Sequence, residues 1–259
     1  MLIRNTGLEV NLKNLAKNLR MLNRRHQQYE YRFAVVKADC YGIGSCAKVI
    51  KTIVENGCNY LAVATLEEAL EIRKRVDTPI LCLGVVSSQY IETCIQNDIT
   101  VTIPSVAYLE EILKENDGDG LKVHLKINTG MNRLGVSSNN EALKAVGLIK
   151  LNHIKLEGIF THIYDAENAE RYLKQLEKFV EIIDGINLEK VKIIHIAASE
   201  AVMNYTKPPF VNGCRFGLVM YGFTDKKALR LRNVIELYSE VVQINELNPG
   251  DTLRIWWDI

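Results

Sequence analysis

The sequence predicts an α/β protein, a closed (β/α)₈ TIM barrel followed by the start of a C-terminal β-domain. Short β-branched apolar runs alternate with longer segments whose apolar residues recur every three or four positions, as expected of a parallel sheet with crossover helices. Eight such units fit into about 220 residues, which favours a closed barrel. On this pattern alone an open doubly wound sheet stays the alternative.

The predicted strands are short and mostly apolar: Phe33–Lys37, Tyr60–Ala64, Ile80–Leu83, Thr100–Ile103, Val123–Asn128, Leu156–Thr161, Lys192–Ala197 and Phe210–Phe216. Amphipathic helices are predicted between them, and one more precedes the first barrel strand. They include Leu12–Arg25, Leu66–Arg75, Val106–Glu115, Glu141–Ile149 and Ala166–Ile183.

The three- and four-residue spacing of apolar residues that is typical of helices stops after Leu229. The run Val234–Ile244 alternates as an antiparallel strand does, and Asn248–Asp251 has the composition of a turn. We therefore predict two domains, a barrel over residues 1–225 and the beginning of a β-domain over residues 226–259.

Composition excludes several classes of protein. Apolar residues make up 47% of the chain, and the formal net charge is +1 with no basic block, so no nucleic-acid partner is expected. No apolar run approaches the ~18 residues needed to span a bilayer. The six cysteines are scattered without metal-ligand spacing, which indicates reduced thiols, no metal site and a cytoplasmic protein.

Lys37 ends a predicted apolar strand in the run Ala34–Gly44. Inside a barrel, apolar walls would disfavour its charged ammonium, which is what a lysine that condenses with an aldehyde requires. A rim lysine extending to solvent is the equal alternative. Arg133 lies in a glycine-flanked loop that follows the strand containing Lys126, where its guanidinium could clamp an anion. An ordinary surface salt bridge is its alternative.

Two histidines, His162 and His195, lie at the ends of neighbouring predicted strands, and Arg215 lies on the last one. Active sites of such barrels lie at the carboxyl ends of the strands, and phosphate commonly binds at the loops after the last two. Ser199 and the backbone N–H groups of Gly217 and Leu218 suit that role. Together these residues favour an anionic cofactor attached to a lysine.

These motifs, in this order and spacing from Met1 to Gly222, resemble those of the alanine racemases, pyridoxal-phosphate (PLP) enzymes with a (β/α)₈ barrel and a C-terminal β-domain. The resemblance implies that Lys37 holds the cofactor as an aldimine and that Tyr41 contacts its phosphate. Arg133 would contact the cofactor's phenolic oxygen and the substrate carboxylate, and His162 would face the cofactor ring. The implied catalytic residues are Lys37, Arg133 and His162.

The resemblance also assigns the remaining cofactor contacts. Arg215 would hydrogen-bond the pyridine nitrogen, with His195 in the polar network beneath. Ser199, Gly217 and Leu218 would hold the phosphate, and Lys126 matches a lysine that some members carry carbamylated. The implied reaction is the interconversion of L- and D-alanine, which supplies D-alanine for peptidoglycan.

The chain also departs from the family pattern. Ala198 replaces the usual asparagine, and the stretch after His162 differs. The family's second base is a tyrosine of the C-terminal domain, contributed across a homodimer interface, and we expect this chain to stop before that domain. We therefore predict PLP binding with little or no racemase activity, and we expect a dimer only of full-length members.

A frameshift would explain the unusual last residues, because regrouping the codons of Trp256–Asp258 forces Gly-Gly, as in the family's β-domain. The alternatives are a non-catalytic PLP-binding barrel protein, an inactive gene remnant, and a racemase of serine or another small amino acid.

Overall fold

A computed structural model describes residues 5–224, 230–254 and 257–258. After β1 (Thr6–Val10), eight parallel strands close into a barrel in chain order, and the last pairs with the first. The closed barrel is therefore confirmed over the open sheet. Its strands are β2 (Tyr31–Val35), β3 (Tyr60–Val63), β4 (Ile80–Cys82), β5 (Ile99–Ile103), β6 (Lys122–Lys126), β7 (Lys155–Phe160), β8 (Ile193–Ala197) and β9 (Gly213–Phe216).

Helices precede β2 and follow the strands from β2 to β8. They are α1 (Leu12–Arg25), α2 (Lys37–Gly42), α3 (Ala47–Glu55), α4 (Leu66–Arg73), α5 (Ile91–Gln96), α6 (Val106–Glu115), α7 (Asn139–Leu151), α8 (Ala169–Ile183) and α9 (Ser199–Asn204). Of these, α2 is a left-handed turn, because its residues Ala38 to Tyr41 have positive φ. Polar side chains accept hydrogen bonds from the first-turn N–H groups of several helices, which fixes where these helices begin. These caps are Asn11, Thr65, Ser105, Ser138 and Asn168.

Many predicted boundaries differ from the structure by one to three residues. The first barrel strand ends at Val35, so Lys37 follows the strand instead of ending it, because the chain turns sharply into α2. The helix predicted from Ala166 begins at Ala169, since the Asn168 side chain caps it. The last barrel strand begins at Gly213, three residues after the predicted start.

Two layers of side chains bury the barrel strands on both faces. Outside, aliphatic residues pack between the strands and the helices. Inside, Phe33 stacks between Tyr60 and His195, with ring centroids 4.4 and 4.5 Å away. The interior also holds buried polar side chains, including His124 and Glu157. Buried polar groups need internal hydrogen-bond partners, and here the Tyr60 hydroxyl donates to Glu157 while His124 Nδ1 pairs with His195 Nε2.

The C-terminal segment pairs with the N-terminus. Strand β10 (Ile235–Ser239) lies antiparallel to β1, with Leu8 opposite Leu237, which confirms the first part of the alternating run as a strand. Further along, β11 (Thr252–Arg254) pairs with β12 (Trp257–Asp258). The domain boundary predicted at residues 225 and 226 lies outside the described residues. Across the part of the chain that the structure describes, no helix has the length and apolarity to cross a membrane.

Candidate active site

The carboxyl ends of the barrel strands surround an open cavity of about 770 Å³. Every predicted site residue except His195 lines it. The lining residues that were predicted are Lys37, Tyr41, Lys126, Arg133, His162, Ser199, Arg215, Gly217 and Leu218. Parallel strands bring their carboxyl ends to one mouth, which explains why residues distant in sequence meet here.

Lys37 is half-buried on the cavity wall, and its Nζ lies 6.0 Å from the centroid of the Tyr41 ring. The prediction that apolar walls enclose this amine is wrong. Because Lys37 follows the strand instead of ending it, the side chain lies at the barrel mouth, where Lys126, Arg133 and Arg215 line the same cavity. Four cationic side chains therefore line the cavity, beside the carboxylates of Asp165, Glu167 and Glu200, and the cations can bind the phosphate and carboxylate groups of a ligand.

Arg215 is 3% exposed, and both of its terminal nitrogens donate hydrogen bonds. Its Nη1 donates to His195 Nδ1 at 2.7 Å, and its Nη2 donates to the Thr161 and Ile196 carbonyls and to His162 Nδ1 at 3.3 Å. An arginine can only donate, so both imidazoles accept through Nδ1 and are neutral. Burial, reinforced by the Arg215 charge, lowers the pKa of His162 to about 3.

His195 is fully buried below the cavity and supports Arg215 without reaching the cavity wall. Since its Nδ1 accepts from Arg215, its Nε2–H donates to His124 Nδ1 at 2.9 Å. His124 then carries its proton on Nε2, and this nitrogen lies 3.6 Å from Glu157 Oε2. Burial lowers the pKa of both histidines. A line of polar groups therefore runs from Arg215 down through the barrel to a carboxylate.

Glu157 ends this line. Its Oε2 accepts from the Tyr60 hydroxyl at 2.7 Å, and Lys192 Nζ lies 3.4 Å from Oε1. Burial alone would raise the pKa of Glu157, but interactions with His124 and Tyr60 outweigh it and lower the pKa. Sequence analysis missed both His124 and Glu157. A signal existed for His124, because it lies two residues before Lys126 on one strand and so shares its face.

Lys126 is 5% exposed, and its Nζ lies 5.4 Å above the Phe160 ring. Burial lowers its pKa to about 8, and the charges of Arg133 and Arg215 add to the shift. Near neutral pH a fraction of this amine is therefore unprotonated and nucleophilic. Arg133 is exposed on the cavity wall.

Tyr41, Ser199, Gly217 and Leu218 form what we term the phosphate cradle. The Gly217 N–H donates to Ser199 Oγ at 3.1 Å. A Cβ atom at Gly217 would lie 2.9 Å from Tyr41 Oη and 3.5 Å from Ser199 Oγ. Two hydroxyls therefore converge on a position where only glycine leaves room, next to the backbone of Leu218. Hydroxyl and N–H donors around such a space fit a phosphate group.

The turn that joins Lys37 to Tyr41 has an uncommon backbone. Ala38, Asp39, Cys40 and Tyr41 all have φ between 51° and 59° and ψ between 35° and 51°. The left-handed conformation costs an L-residue about 1–2 kcal/mol, so four in succession persist only where the surroundings hold them. Both ends of this turn lie on the cavity wall.

The described residues contain no group of three or more His, Cys, Asp or Glu side chains able to hold a metal ion. The amine, the buried guanidinium and the phosphate cradle fit a different group. At the mouth of a (β/α)₈ barrel they define the class of PLP-dependent barrel enzymes.

Comparison with known proteins identifies the family within that class. The family model for the alanine racemase N-terminal domain matches residues 10–225, and the chain belongs to this family of PLP-dependent isomerases. Alanine racemase 1 of Bacillus subtilis is 34% identical over 96% of this chain. The chain spans 66% of that relative's length.

Solved structures agree in fold. An alanine racemase of Clostridium difficile superposes with a TM-score of 0.87 at 31% identity, over 99% of this chain and 70% of the other. The Bacillus anthracis alanine racemase with bound L-Ala-P superposes with a TM-score of 0.86 at 28% identity, over 98% of this chain and 69% of that one.

Proposed function

We propose that this chain binds PLP at the barrel mouth through Lys37 and is the cofactor-binding part of an alanine racemase, with the barrel in residues 1–225 and the start of a β-domain in residues 226–259. The enzyme would interconvert L- and D-alanine and supply D-alanine for peptidoglycan. One observation carries the proposal: Lys37, the buried Arg215 and the phosphate cradle line a single cavity.

Each wall residue has a role that follows from its chemistry. When bound, PLP supplies an aldehyde for attachment and an electron-withdrawing ring that acidifies the substrate's α-C–H. The Lys37 amine would hold the cofactor until the substrate's amine displaces it, and the freed amine would then take or return the α-proton on one face of the substrate. Arg133, exposed on the cavity wall, clamps the substrate carboxylate. The neutral ring of His162 offers an uncharged aromatic surface to the cofactor.

Arg215 determines which reaction is favoured. Because an arginine only donates hydrogen bonds, Arg215 disfavours a proton on a ring nitrogen placed against it. By opposing that proton, Arg215 would make the bound cofactor a weaker electron sink, which would favour return of the proton to the α-carbon. This favours racemisation over decarboxylation or transamination. His162 and His195 hold Arg215 in place by accepting from its two terminal nitrogens.

Racemisation needs a base on each face of the planar intermediate. Lys37 supplies one of them. The family's other base, a tyrosine of the C-terminal domain of a partner subunit, lies beyond the residues that the family model matches here. We therefore propose that residues 1–259 by themselves bind PLP with little or no turnover, and we expect homodimers of full-length members.

A titration with PLP tests the proposal. Added to the purified chain, PLP should give a new visible absorbance band as the Lys37 amine condenses with its aldehyde. The band should be lost in Lys37→Ala and kept in Lys48→Ala, a control on α3. Production of D-alanine from L-alanine should stay far below that of a full-length racemase. The absence of a band in the unaltered chain would refute the binding proposal, and turnover near the full-length level would refute the expected inactivity.

A further inference from the structure

Glu68 connects the site to the neighbouring strand and helix. Its Oε1 accepts from the Ala38 N–H at 2.6 Å, and its Oε2 accepts from the Ala64 N–H at 2.7 Å and the Thr65 N–H at 3.4 Å. Ala38 is the first residue of the left-handed turn, whereas Ala64 and Thr65 join β3 to α4. One half-buried carboxylate therefore ties the start of the turn to the next βα unit.

The left-handed turn needs such an attachment. Four successive residues with positive φ oppose the intrinsic preference of L-amino acids, so contacts from outside the turn must hold them. Two other bonds lie within the segment itself: the Gly44 N–H donates to the Asp39 carbonyl at 2.9 Å, and the Ser45 N–H donates to the Asp39 carboxylate. The contact from Glu68 differs from them because it ties the turn to another element through a charged acceptor.

The turn sets the relative positions of Lys37 and Tyr41, which lie at its two ends. The Lys37 amine and the Tyr41 ring face each other across 6.0 Å, and Tyr41 Oη reaches the cradle at Gly217. Resting on the proposed function, we infer that Glu68 is a positioning residue for the cofactor: its carboxylate holds the left-handed turn so that the attaching amine and the phosphate hydroxyl face the same bound molecule.

A simpler role for Glu68 is local capping, because Glu68 and Thr65 also form a capping box at the start of α4. The two roles predict that different substitutions will affect PLP binding. Capping depends on Thr65 and is indifferent to residue 38. Positioning depends on the conformation of Ala38, and glycine there would adopt a positive φ without strain.

The test measures PLP affinity by absorbance and covalent attachment by borohydride trapping, with thermal unfolding alongside. Glu68→Gln should weaken PLP binding about 10-fold and reduce the trapped fraction, because it removes a charge-assisted contact. Glu67→Gln, with the same charge change on the same helix turn but an exposed side chain, should bind as the unaltered chain does. Thr65→Val should lower the melting temperature while PLP affinity stays unchanged.

Rescue decides between the roles. Adding Ala38→Gly to Glu68→Gln should restore PLP affinity and the trapped fraction at least in part, and should do so even if Glu68→Gln alone is insoluble. Unchanged binding in Glu68→Gln, a loss that Ala38→Gly fails to reverse, or an equal loss in Thr65→Val would each overturn the inference. Failure of the unaltered chain to bind PLP would instead refute the proposed function.

Discussion

Gly217→Ala tests the phosphate cradle. The new Cβ would lie 2.9 Å from Tyr41 Oη, closer than a Cβ atom normally approaches another non-bonded heavy atom, and 3.5 Å from Ser199 Oγ. The end of the Tyr41 side chain can move away, so folding should survive while the hydroxyl leaves the cradle. A hydrogen bond to a charged group contributes about 1.5–3 kcal/mol. Since each 1.4 kcal/mol is tenfold, the Kd for PLP should rise roughly 10- to 100-fold.

The assay is an absorbance titration of the chain with PLP, run beside thermal unfolding. Gly147→Ala is the matched control, because a Cβ at Gly147 in α7 meets nothing within 4 Å, and it should bind PLP as tightly as the unaltered chain. Tyr41→Phe should weaken binding by a similar factor, and the two losses should not add, because both remove the same hydroxyl. Unaltered affinity in Gly217→Ala would refute this account of the cradle.

Three further predictions concern the buried ionisable side chains of His26, Glu157 and Lys126. Burial, with a smaller contribution from Arg25, lowers the pKa of His26 to about 4, so the unfolded chain takes up its proton first and stability falls as pH drops from 6.5 toward 4. His26→Leu should reduce the loss of unfolding free energy between pH 7 and pH 5 by about 2 kcal/mol in urea titrations, whereas His153→Asn at an exposed position should change nothing. Glu157→Gln should cost about 1–3 kcal/mol in the same titrations, because an amide N–H then faces the donors of His124 and Lys192, and wild-type stability would contradict that role. Lys126, with its pKa near 8, should give a carbamate signal in ¹³C NMR after incubation with labelled bicarbonate; a signal that persists in Lys126→Gln would assign it to another amine.

The sequence predicts the barrel well because parallel strands buried on both faces are nearly continuous apolar runs, and these runs are visible in the chain. The same logic locates Arg215 and His162, since they come at strand ends where barrels place their active sites. The line of polar groups below them was only half predicted. His195 was predicted as a member of the polar network, but its predicted place at the strand end is wrong, because it lies in the middle of β8 below the cavity. Glu157 was missed because it lies early in β7, where a lone charge resembles an exposed strand start.

The left-handed turn could not be predicted from local sequence. Ala38–Tyr41 are residues that favour right-handed or extended backbone, and their conformation is imposed by contacts such as that from Glu68, 30 residues further along the chain. The early end of β2 explains why the environment predicted for Lys37 is wrong. The end of an apolar strand suggested an enclosed amine, but the strand stops at Val35 and the turn carries the lysine to the cavity mouth.

The most direct test of the central claim is to locate the amine that holds the cofactor. The chain is incubated with PLP, reduced with borohydride, digested and analysed by mass spectrometry. The account predicts a pyridoxyl label on Lys37, reduced or absent when inorganic phosphate competes for the cradle. A label confined to Lys126 or to surface lysines, or no label at all, would contradict it.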